Sequence, residues 1–293
     1  MRGTPASLIV LALIAPLVGG DAAVPAPAAP AAPAARVYRY GAGAALRLDS
    51  LRCVGRIPLQ AARDMALGGF GGDLLLLDAG GALRLVPEGD SLPRRLLSSD
   101  LAARDWPEAV AADGQDWLLL VEGGQAIQRL GRRGEAKERW ALPASGLWRG
   151  LRADRSGQLW VSEEQSGRFL VLSQAGQPLQ SWELGRRLPG YRGPVLAWCP
   201  DEQGGLFIAE GWPAHIHHLN GAGNPLGSWP LGLPAGAIAL AVDEREQLLV
   251  AHGPEGDELR LGLRRQPYGT LLVLKDAEAA WLLELSPEGD EAP

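Results

Sequence analysis

The sequence predicts an all-β fold, a six-bladed β-propeller of four-stranded antiparallel blades, from a repeated spacing, a repeat length and a strand pattern. Five times, a turn residue is followed nine positions later by the residue that ends an apolar run. The five pairs are Gly69 with Asp78, Asp113 with Glu122, Asp154 with Glu163, Asp201 with Glu210, and Asp243 with His252. Successive turn residues lie 44, 41, 47 and 42 residues apart, which is the length of a propeller blade and too long for leucine-rich or ankyrin units.

The strand pattern is clearest in the third copy. Its runs at 149–154, 158–163, 168–173 and 178–184 are short and rich in Leu, Val, Trp and Phe, and turn residues separate them, as expected of antiparallel strands. Such a sheet is apolar on both faces. It is therefore stable only when neighbouring sheets cover it around a ring.

These repeats resemble the NHL-repeat family of β-propellers, whose units run as a Val-Asp turn, an apolar strand ending in Ala-Asp, and an Arg-Ile strand. The matching segments are 153–172 and 241–252, and the resemblance extends roughly from Val37 to Leu285. It implies a propeller fold. NHL-like propellers include scaffolds, protein- and RNA-binding modules and a few metal-dependent lyases, so the resemblance leaves the function open.

Closure of the ring has two alternatives in the sequence. Residues 36–59 are expected to supply strands B, C and D of a sixth unit, since 36–48 align without a gap on 73–85. In one alignment 258–265 is strand C, 270–275 is strand D and 280–286 is the missing strand A, which leaves no exposed edge. In the other, 270–285 is a C–D hairpin and 253–269 is an inserted loop. A five-bladed ring with an N-terminal appendage is a third arrangement.

The N-terminus predicts export. Arg2 precedes an apolar stretch at 8–18 that is too short to span a bilayer, and small residues follow it, so we expect a signal peptide at 1–22 with cleavage after Ala22. The uncharged Pro/Ala-rich stretch at 23–35 is expected to be a linker, and 36–293 the propeller. This predicts a periplasmic or secreted protein with no stable membrane insertion after cleavage.

Charge excludes one class of partner. The formal net charge is −6, and no basic stripe is visible in the sequence. Since a basic patch is the usual electrostatic mark of a nucleic-acid-binding surface, we expect no nucleic-acid partner.

A binding face is expected where the innermost strands begin, because these residues surround the mouth of the central channel. Aligning the repeats on the turn residue places both charged and aromatic side chains there, with the B–C loops on the same side. The candidates are Asp64, Glu108, Trp148, Arg149, Tyr191, Arg192 and Trp212, with Arg63, Trp106 and the charged segment 255–265 beside them. Aromatic and charged groups at a concave site are typical of a binding surface.

Metal sites find weaker support. The five residues that end strand B are acidic or histidine, but strand B is second from the axis, so these side chains are expected to be too far apart to bind one ion. The resemblance to NHL-like units implies that they cap turns or pair locally, as Glu163 with Arg168. Glu210 and His252 are the weak metal candidates. The histidines at 215, 217 and 218 alternate between two faces of one strand, which is poor geometry for three ligands. We expect no cofactor.

The sequence thus predicts an exported, non-catalytic binding or scaffold propeller that presents one loop face to a protein or glycan partner. The alternative is a metal-dependent lyase or hydrolase with its site at the propeller axis. Motifs of other enzyme classes, such as Gly-x-Ser-x-Gly and Cys-x-x-Cys-His, do not occur in the sequence.

Overall fold

The computed structural model describes most of the predicted propeller. The described residues are 33, 35–40, 46–48, 51–58, 62–68, 72–78, 80–87, 94–95, 106–211, 213–243, 245–255, 259–266, 269–276 and 279–285. The predicted signal peptide and nearly all of the predicted linker lie outside these residues. Within the described part of the chain, no helix has the length and apolar character needed to cross a membrane.

Twenty-four strands and one short helix make up this part of the chain. In chain order they are β1 (Arg36–Tyr40), β2 (Leu46–Leu48), β3 (Leu51–Pro58), β4 (Ala62–Leu67), β5 (Leu74–Asp78), β6 (Leu83–Val86), β7 (Arg94–Arg95), β8 (Ala109–Ala112), β9 (Trp117–Val121), β10 (Ala126–Leu130), β11 (Ala136–Ala141), β12 (Gly150–Ala153), β13 (Leu159–Glu163), β14 (Arg168–Leu172), β15 (Pro178–Glu183), α1 (Leu184–Arg187), β16 (Val195–Pro200), β17 (Leu206–Glu210), β18 (His215–Leu219), β19 (Pro225–Pro230), β20 (Ala237–Val242), β21 (Leu248–Gly253), β22 (Arg260–Gln266), β23 (Gly269–Lys275) and β24 (Ala279–Leu285).

The strands form six four-stranded antiparallel sheets, which confirms the predicted six-bladed propeller. Blades 1 to 4 are β4–β7, β8–β11, β12–β15 and β16–β19, each built from consecutive strands. Blade 5 is β20, β21, β1 and β2, and blade 6 is β22, β23, β24 and β3. The strands β4, β8, β12, β16, β20 and β22 contact one another in turn, and β22 contacts β4, so these six innermost strands surround the axis.

The core lies between neighbouring blades, and the alternation of strand side chains explains why. In β9, Leu118 and Leu120 pack with residues of blade 3, whereas Leu119 and Val121 pack with residues of blade 1. Successive side chains of a strand point to opposite faces, so a strand buried on both faces is apolar throughout. A fully buried leucine contributes about 1.5–3 kcal/mol relative to an exposed one. Each blade is therefore stable mainly through its two neighbours.

The turn between the first and second strands of a blade explains the nine-residue interval. In blade 3, Oδ1 of Asp154 accepts the Gln158 N–H at 2.9 Å, and Gly157 adopts a φ of +83° that a side chain would disfavour. Asp201 and Asp243 accept the equivalent backbone N–H groups in blades 4 and 5. The turn residue is thus a side-chain cap, and the strand after it ends on the opposite face of the ring.

Closure of the ring differs from both predicted alignments. The segment 36–59 does not supply strands B, C and D of one unit, because β1 and β2 are the outer strands of blade 5 and β3 is the outermost strand of blade 6. At the C-terminus, β22 is an innermost strand, neither a strand C nor part of an inserted loop. The five-bladed alternative is also wrong. Every strand of a meander has the same alternating pattern, so the pattern could not assign a strand to its place in a blade.

Candidate functional site

The candidate site lies on the face of the ring where the innermost strands begin and the second strands end. We call it the mouth face and define it by Arg63, Trp106, Glu108, Leu147, Arg149 and Arg192. Connections from one blade to the next carry most of these residues, since Trp106 and Glu108 precede β8, Leu147 and Arg149 precede β12, and Arg192 precedes β16. The structure therefore brings together residues of blades 1 to 4.

One carboxylate holds two arginines on the mouth face. Oε2 of Glu108 contacts a guanidinium nitrogen of Arg63 and lies 2.5 Å from Nη1 of Arg149. The Arg63 and Arg149 side chains are 42% and 48% exposed, but the Glu108 side chain is only 16% exposed. This surface triad joins blades 1, 2 and 3 and leaves both guanidinium groups open to solvent on one side.

Two large apolar side chains stand beside the surface triad. Trp106 is 53% exposed and Leu147 is 61% exposed. The Trp106 ring lies over Gly81 in a turn of blade 1, and the Leu147 N–H donates to Oε1 of Glu163 at 3.0 Å. These contacts position the two segments, and each segment leaves one large apolar side chain exposed.

A second carboxylate between two arginines lies deeper, in the central channel. Asp64 of β4 accepts the Val110 N–H at 3.0 Å and Nε of Arg260 at 2.8 Å, and Nη1 of Arg152 lies 3.6 Å from its Oδ2. The Asp64 side chain is 2% exposed. Arg152 and Arg260 come from blades 3 and 6, on opposite sides of the ring, so this channel triad spans the axis.

The charge state of the channel triad follows from its contacts. Burial opposes ionisation of Asp64, but the guanidinium groups of Arg152 and Arg260 and the Val110 N–H outweigh it, and the pKa of Asp64 is lowered. Burial also lowers the pKa of Arg152, against the effect of Asp64. An arginine stays charged well above neutral pH even so. Asp64 and Arg152 are therefore both ionised at pH 7.

A small cavity adjoins the channel triad. Arg152, Glu164 and Arg260 line it together with apolar and backbone atoms of β16, β20 and β22, and its volume is about 40 Å³. Oε1 of Glu164 accepts Nε1–H of Trp198 at 3.2 Å. Such a cavity has room for a few water molecules, whereas small-molecule sites have volumes of about 300–1,000 Å³.

Blade 4 carries a separate polar network behind the mouth face. Oε2 of Glu210 accepts the N–H groups of Arg192 and Gly193 at 3.0 and 2.9 Å, and Nε2–H of His217 donates to Oε1 at 3.2 Å. Burial, helped by the nearby Glu210 carboxylate, raises the pKa of Tyr191 to about 12. Glu210 is buried and its oxygens are engaged, so its role in the structure is to position the Tyr191–Gly193 connection.

The two weak metal candidates do not meet. Glu210 bonds to blade 4 as described, and Nε2–H of His252 donates to the Pro234 carbonyl at 3.0 Å. Two other strand ends pair locally, since Asp78 accepts the Ala82 N–H and Glu163 accepts Arg168 at 3.1 Å. Among the described residues, no group of three or more His, Cys, Asp or Glu side chains is placed to hold a metal ion.

Of the aromatic candidates, Trp148 is buried and Trp212 is not described. Trp148 is 1% exposed, in contrast to the expectation, because its ring packs between blades 2 and 3 and its Nε1–H faces the Pro143 carbonyl at 3.3 Å. Burial alternates along the connection before β12, so Trp148 is buried between the exposed Leu147 and Arg149. Trp212 lies outside the described residues.

Sequence reasoning missed Arg152 and Leu147. Aligning the repeats on their turn residue identified the position before each innermost strand, whereas Arg152 lies inside β12. Arg260 was named only within the charged segment 255–265, and its place at the axis was not predicted because this segment was assigned to an outer strand or a loop. Charged residues within the candidate innermost strands are the signal that would have identified Arg152 and Arg260 at the axis.

Comparisons with known proteins support the fold but assign neither a family nor a function. No protein-family model matches the sequence, and no curated protein matches it. Among solved structures, the chain is similar to one titled "Streptogramin B lyase structure", with a TM-score of 0.54 and 10% sequence identity over 81% of this chain and 98% of that chain. At this identity the likeness shows a shared β-propeller fold alone, and membership of the NHL-repeat family stays a prediction.

Proposed function

We propose that this protein is a non-catalytic binding or scaffold module, exported to the periplasm or secreted, whose mouth face binds a protein or glycan partner. The observation that carries the proposal is the exposure of Trp106 and Leu147 beside the guanidinium groups of Arg63 and Arg149. Trp and Arg are the residues most enriched among those that dominate binding energy at interfaces. The other exposed large apolar side chains among the described residues, Leu179 and Leu226, lie on outermost strands.

The channel supports a surface partner over a small molecule bound at the axis. The channel triad engages Asp64 with Arg152 and Arg260 across the ring. The cavity beside the triad is several times smaller than a small-molecule site. A partner that contacts the mouth face from outside needs neither to enter the channel nor to break the triad.

A metal-dependent lyase or hydrolase with an axial site is the second candidate, and the fold shared with a solved lyase structure is what favours it. The charges at the axis weigh against it. Arg152 and Arg260 repel a cation, and Asp64 is the carboxylate that they share. Stoichiometric metal in the purified protein, lost in His252→Ala or Glu210→Gln, would replace the binding proposal with this one.

Matched leucines test the binding proposal. Leu147 on the mouth face and Leu226 on β19 are 61% and 59% exposed, so replacing either by alanine removes the same surface side chain from different places. The full chain, Trp106→Ala, Leu147→Ala and Leu226→Ala are immobilised and exposed to a glycan array and to extracts of cell-surface proteins. We expect one set of ligands to be lost with Trp106→Ala and Leu147→Ala and retained by Leu226→Ala. Ligands retained by all three variants would contradict the proposal.

Export has its own test. We expect the mature protein to begin at Ala23, because the Gly20-Asp21-Ala22 sequence follows the apolar stretch and ends in a small residue. Expression of the full sequence in a host with a secretion system, followed by N-terminal sequencing of the extracytoplasmic fraction, measures this. Full-length protein retained in the cytoplasm would contradict the export proposal and leave the binding proposal intact.

A further inference from the structure

The charges that the mouth face exposes are unequal in sign. Arg63 and Arg149 are each nearly half exposed, and Arg192 is exposed as well. Four acidic side chains around them are withdrawn, with exposed fractions of 16% for Glu108, 16% for Asp78, 17% for Glu163 and 8% for Glu210. Two others on this face, Glu122 after β9 and Glu183 at the end of β15, are 38% and 48% exposed, and each pairs with an arginine.

The four least exposed acidic side chains are withdrawn because they bond to the framework of the fold. Asp78 accepts the Ala82 N–H, Glu163 accepts the Leu147 N–H and Ser166 Oγ–H, and Glu210 accepts two backbone N–H groups. These carboxylates therefore close turns and hold connections. The guanidinium groups of Arg63, Arg149 and Arg192 are therefore more accessible to a partner than these carboxylates, although the chain as a whole carries a formal charge of −6.

We infer, on the basis of the proposed function, that the partner of the mouth face is an acidic protein segment carrying an apolar or aromatic side chain. Its carboxylates pair with Arg149, Arg63 and Arg192, and its apolar side chain packs on Trp106 and Leu147. Guanidinium groups bind carboxylates through paired N–H···O bonds, which are stronger and more directional than neutral hydrogen bonds. Electrostatic attraction between opposite surfaces raises the association rate.

The geometry favours a carboxylate-bearing polypeptide over a lipid surface. One carboxylate, Glu108, holds the guanidinium groups of Arg63 and Arg149, so the spacing between them is set by the fold. A fixed pair of planar donors suits carboxylates at set positions on a chain, whereas a fluid lipid surface requires positive charge without fixed spacing. Trp106 then supplies a site for one apolar anchor beside the charges.

An unbiased peptide selection tests the inference. A displayed library of random dodecapeptides is selected on the full chain, and one enriched peptide is synthesised for affinity measurements at several salt concentrations. We expect enriched peptides to carry an excess of Asp and Glu around an aromatic or aliphatic residue. We also expect their binding to weaken at least tenfold in Arg149→Glu and as the salt concentration rises.

Arg132→Glu is the matched charge control. Arg132 lies in the turn between β10 and β11, is 57% exposed, and pairs with Asp73 at 2.8 Å much as Arg149 pairs with Glu108. Its reversal changes the net charge of the chain as Arg149→Glu does, but on the opposite face of the ring. We expect Arg132→Glu to retain binding within about twofold, since separated exposed charges are screened beyond about 10 Å.

The outcomes separate this inference from the proposed function. Enriched peptides that lose binding in Leu147→Ala but show no acidic excess would overturn the inference and keep the binding proposal. Peptides that bind Trp106→Ala and Leu147→Ala as well as the parent would overturn both. Selection that yields no peptide, together with binding to phosphatidylglycerol vesicles that Arg149→Glu abolishes, would replace the protein partner with an anionic lipid surface.

Discussion

Asp64 and Glu108 are each shared by two arginines, yet they lie at different depths in the propeller. The Asp64 side chain is 2% exposed, and its arginines come from opposite blades. The Glu108 side chain is 16% exposed, and its arginines are nearly half exposed. Removing one partner of a buried ion pair strongly destabilises a fold, whereas an exposed ion pair contributes little to stability. The channel triad therefore supports the ring, and the surface triad leaves its charges for a partner.

Asp64→Asn is expected to have the largest effect on stability. It keeps the size of the side chain but leaves Arg152 and Arg260 without their shared carboxylate. We expect the free energy of unfolding to fall by about 3 kcal/mol, near the lower limit for a broken buried pair because both arginines are about one-third exposed. Urea unfolding followed by circular dichroism measures it. A loss no larger than that of Glu108→Gln would remove the distinction between the triads.

Replacing each arginine of the channel triad in turn measures how much its contact with Asp64 contributes to the free energy of unfolding. Arg260 donates Nε–H to Asp64 at 2.8 Å, whereas the nearest nitrogen of Arg152 is 3.6 Å away. We expect Arg260→Met to lower the free energy of unfolding by about 2 kcal/mol, the value of a charged hydrogen bond, and Arg152→Met by about 1 kcal/mol. The reverse order in urea unfolding would show that Arg152 is the main partner of Asp64.

Acid unfolding gives an independent measure of Asp64. Its pKa is lower in the folded protein than in the unfolded chain, where an aspartate titrates near about 4. The unfolded chain therefore binds more protons in this range, and stability rises with pH. The contribution of Asp64 is fully present above the unfolded pKa and is lost as pH falls through the folded pKa. We expect the stabilities of the parent and Asp64→Asn to differ most near neutral pH and to converge in acid.

Two other carboxyl groups shape the same acid profile. Burial opposes ionisation of Asp201, but His218 and two backbone N–H groups lower its pKa, and hydrogen bonds from Ser166 and Leu147 lower the pKa of Glu163. Both groups remain in Asp64→Asn, so that variant keeps part of the loss of stability in acid. The difference between the two profiles isolates Asp64. Parallel profiles for parent and variant would contradict a lowered Asp64 pKa.

The contrast between the triads also shows what the sequence could predict. The spacing of turn residues predicted five of the six blades, because an Asp caps this turn in blades 2 to 5, as Asp154 does in blade 3. Arg149 and Glu108 were predicted at the mouth because they precede innermost strands. The contacts of Arg152 and Arg260 with Asp64 were not predicted, since they cross the ring and join residues up to 196 positions apart. Such contacts leave no local pattern.

Closure was beyond sequence reasoning for a related reason. The segment 36–40 has the same alternating pattern as any strand of a blade, so its pairing with β21 is decided by which edge the rest of the chain leaves open. Trp148 shows the opposite case. Burial alternates along 147–149, which places Trp148 inward beside the exposed Arg149. The expectation of a binding role for Trp148 overlooked this alternation.

Glu108→Gln is expected to have the smallest effect on stability and the most specific effect on binding. Both arginines of the surface triad are nearly half exposed, so we expect the free energy of unfolding to fall by no more than about 1 kcal/mol. Loss of the carboxylate leaves the mouth face more positive, and a selected acidic peptide should associate a few-fold faster at low salt, an advantage that disappears as the salt concentration rises. Stopped-flow anisotropy of a fluorophore-labelled peptide, with Arg132→Glu as the control, measures this. Slower association at low salt would mean that Glu108 contributes more by holding Arg63 and Arg149 in place than it costs by its charge.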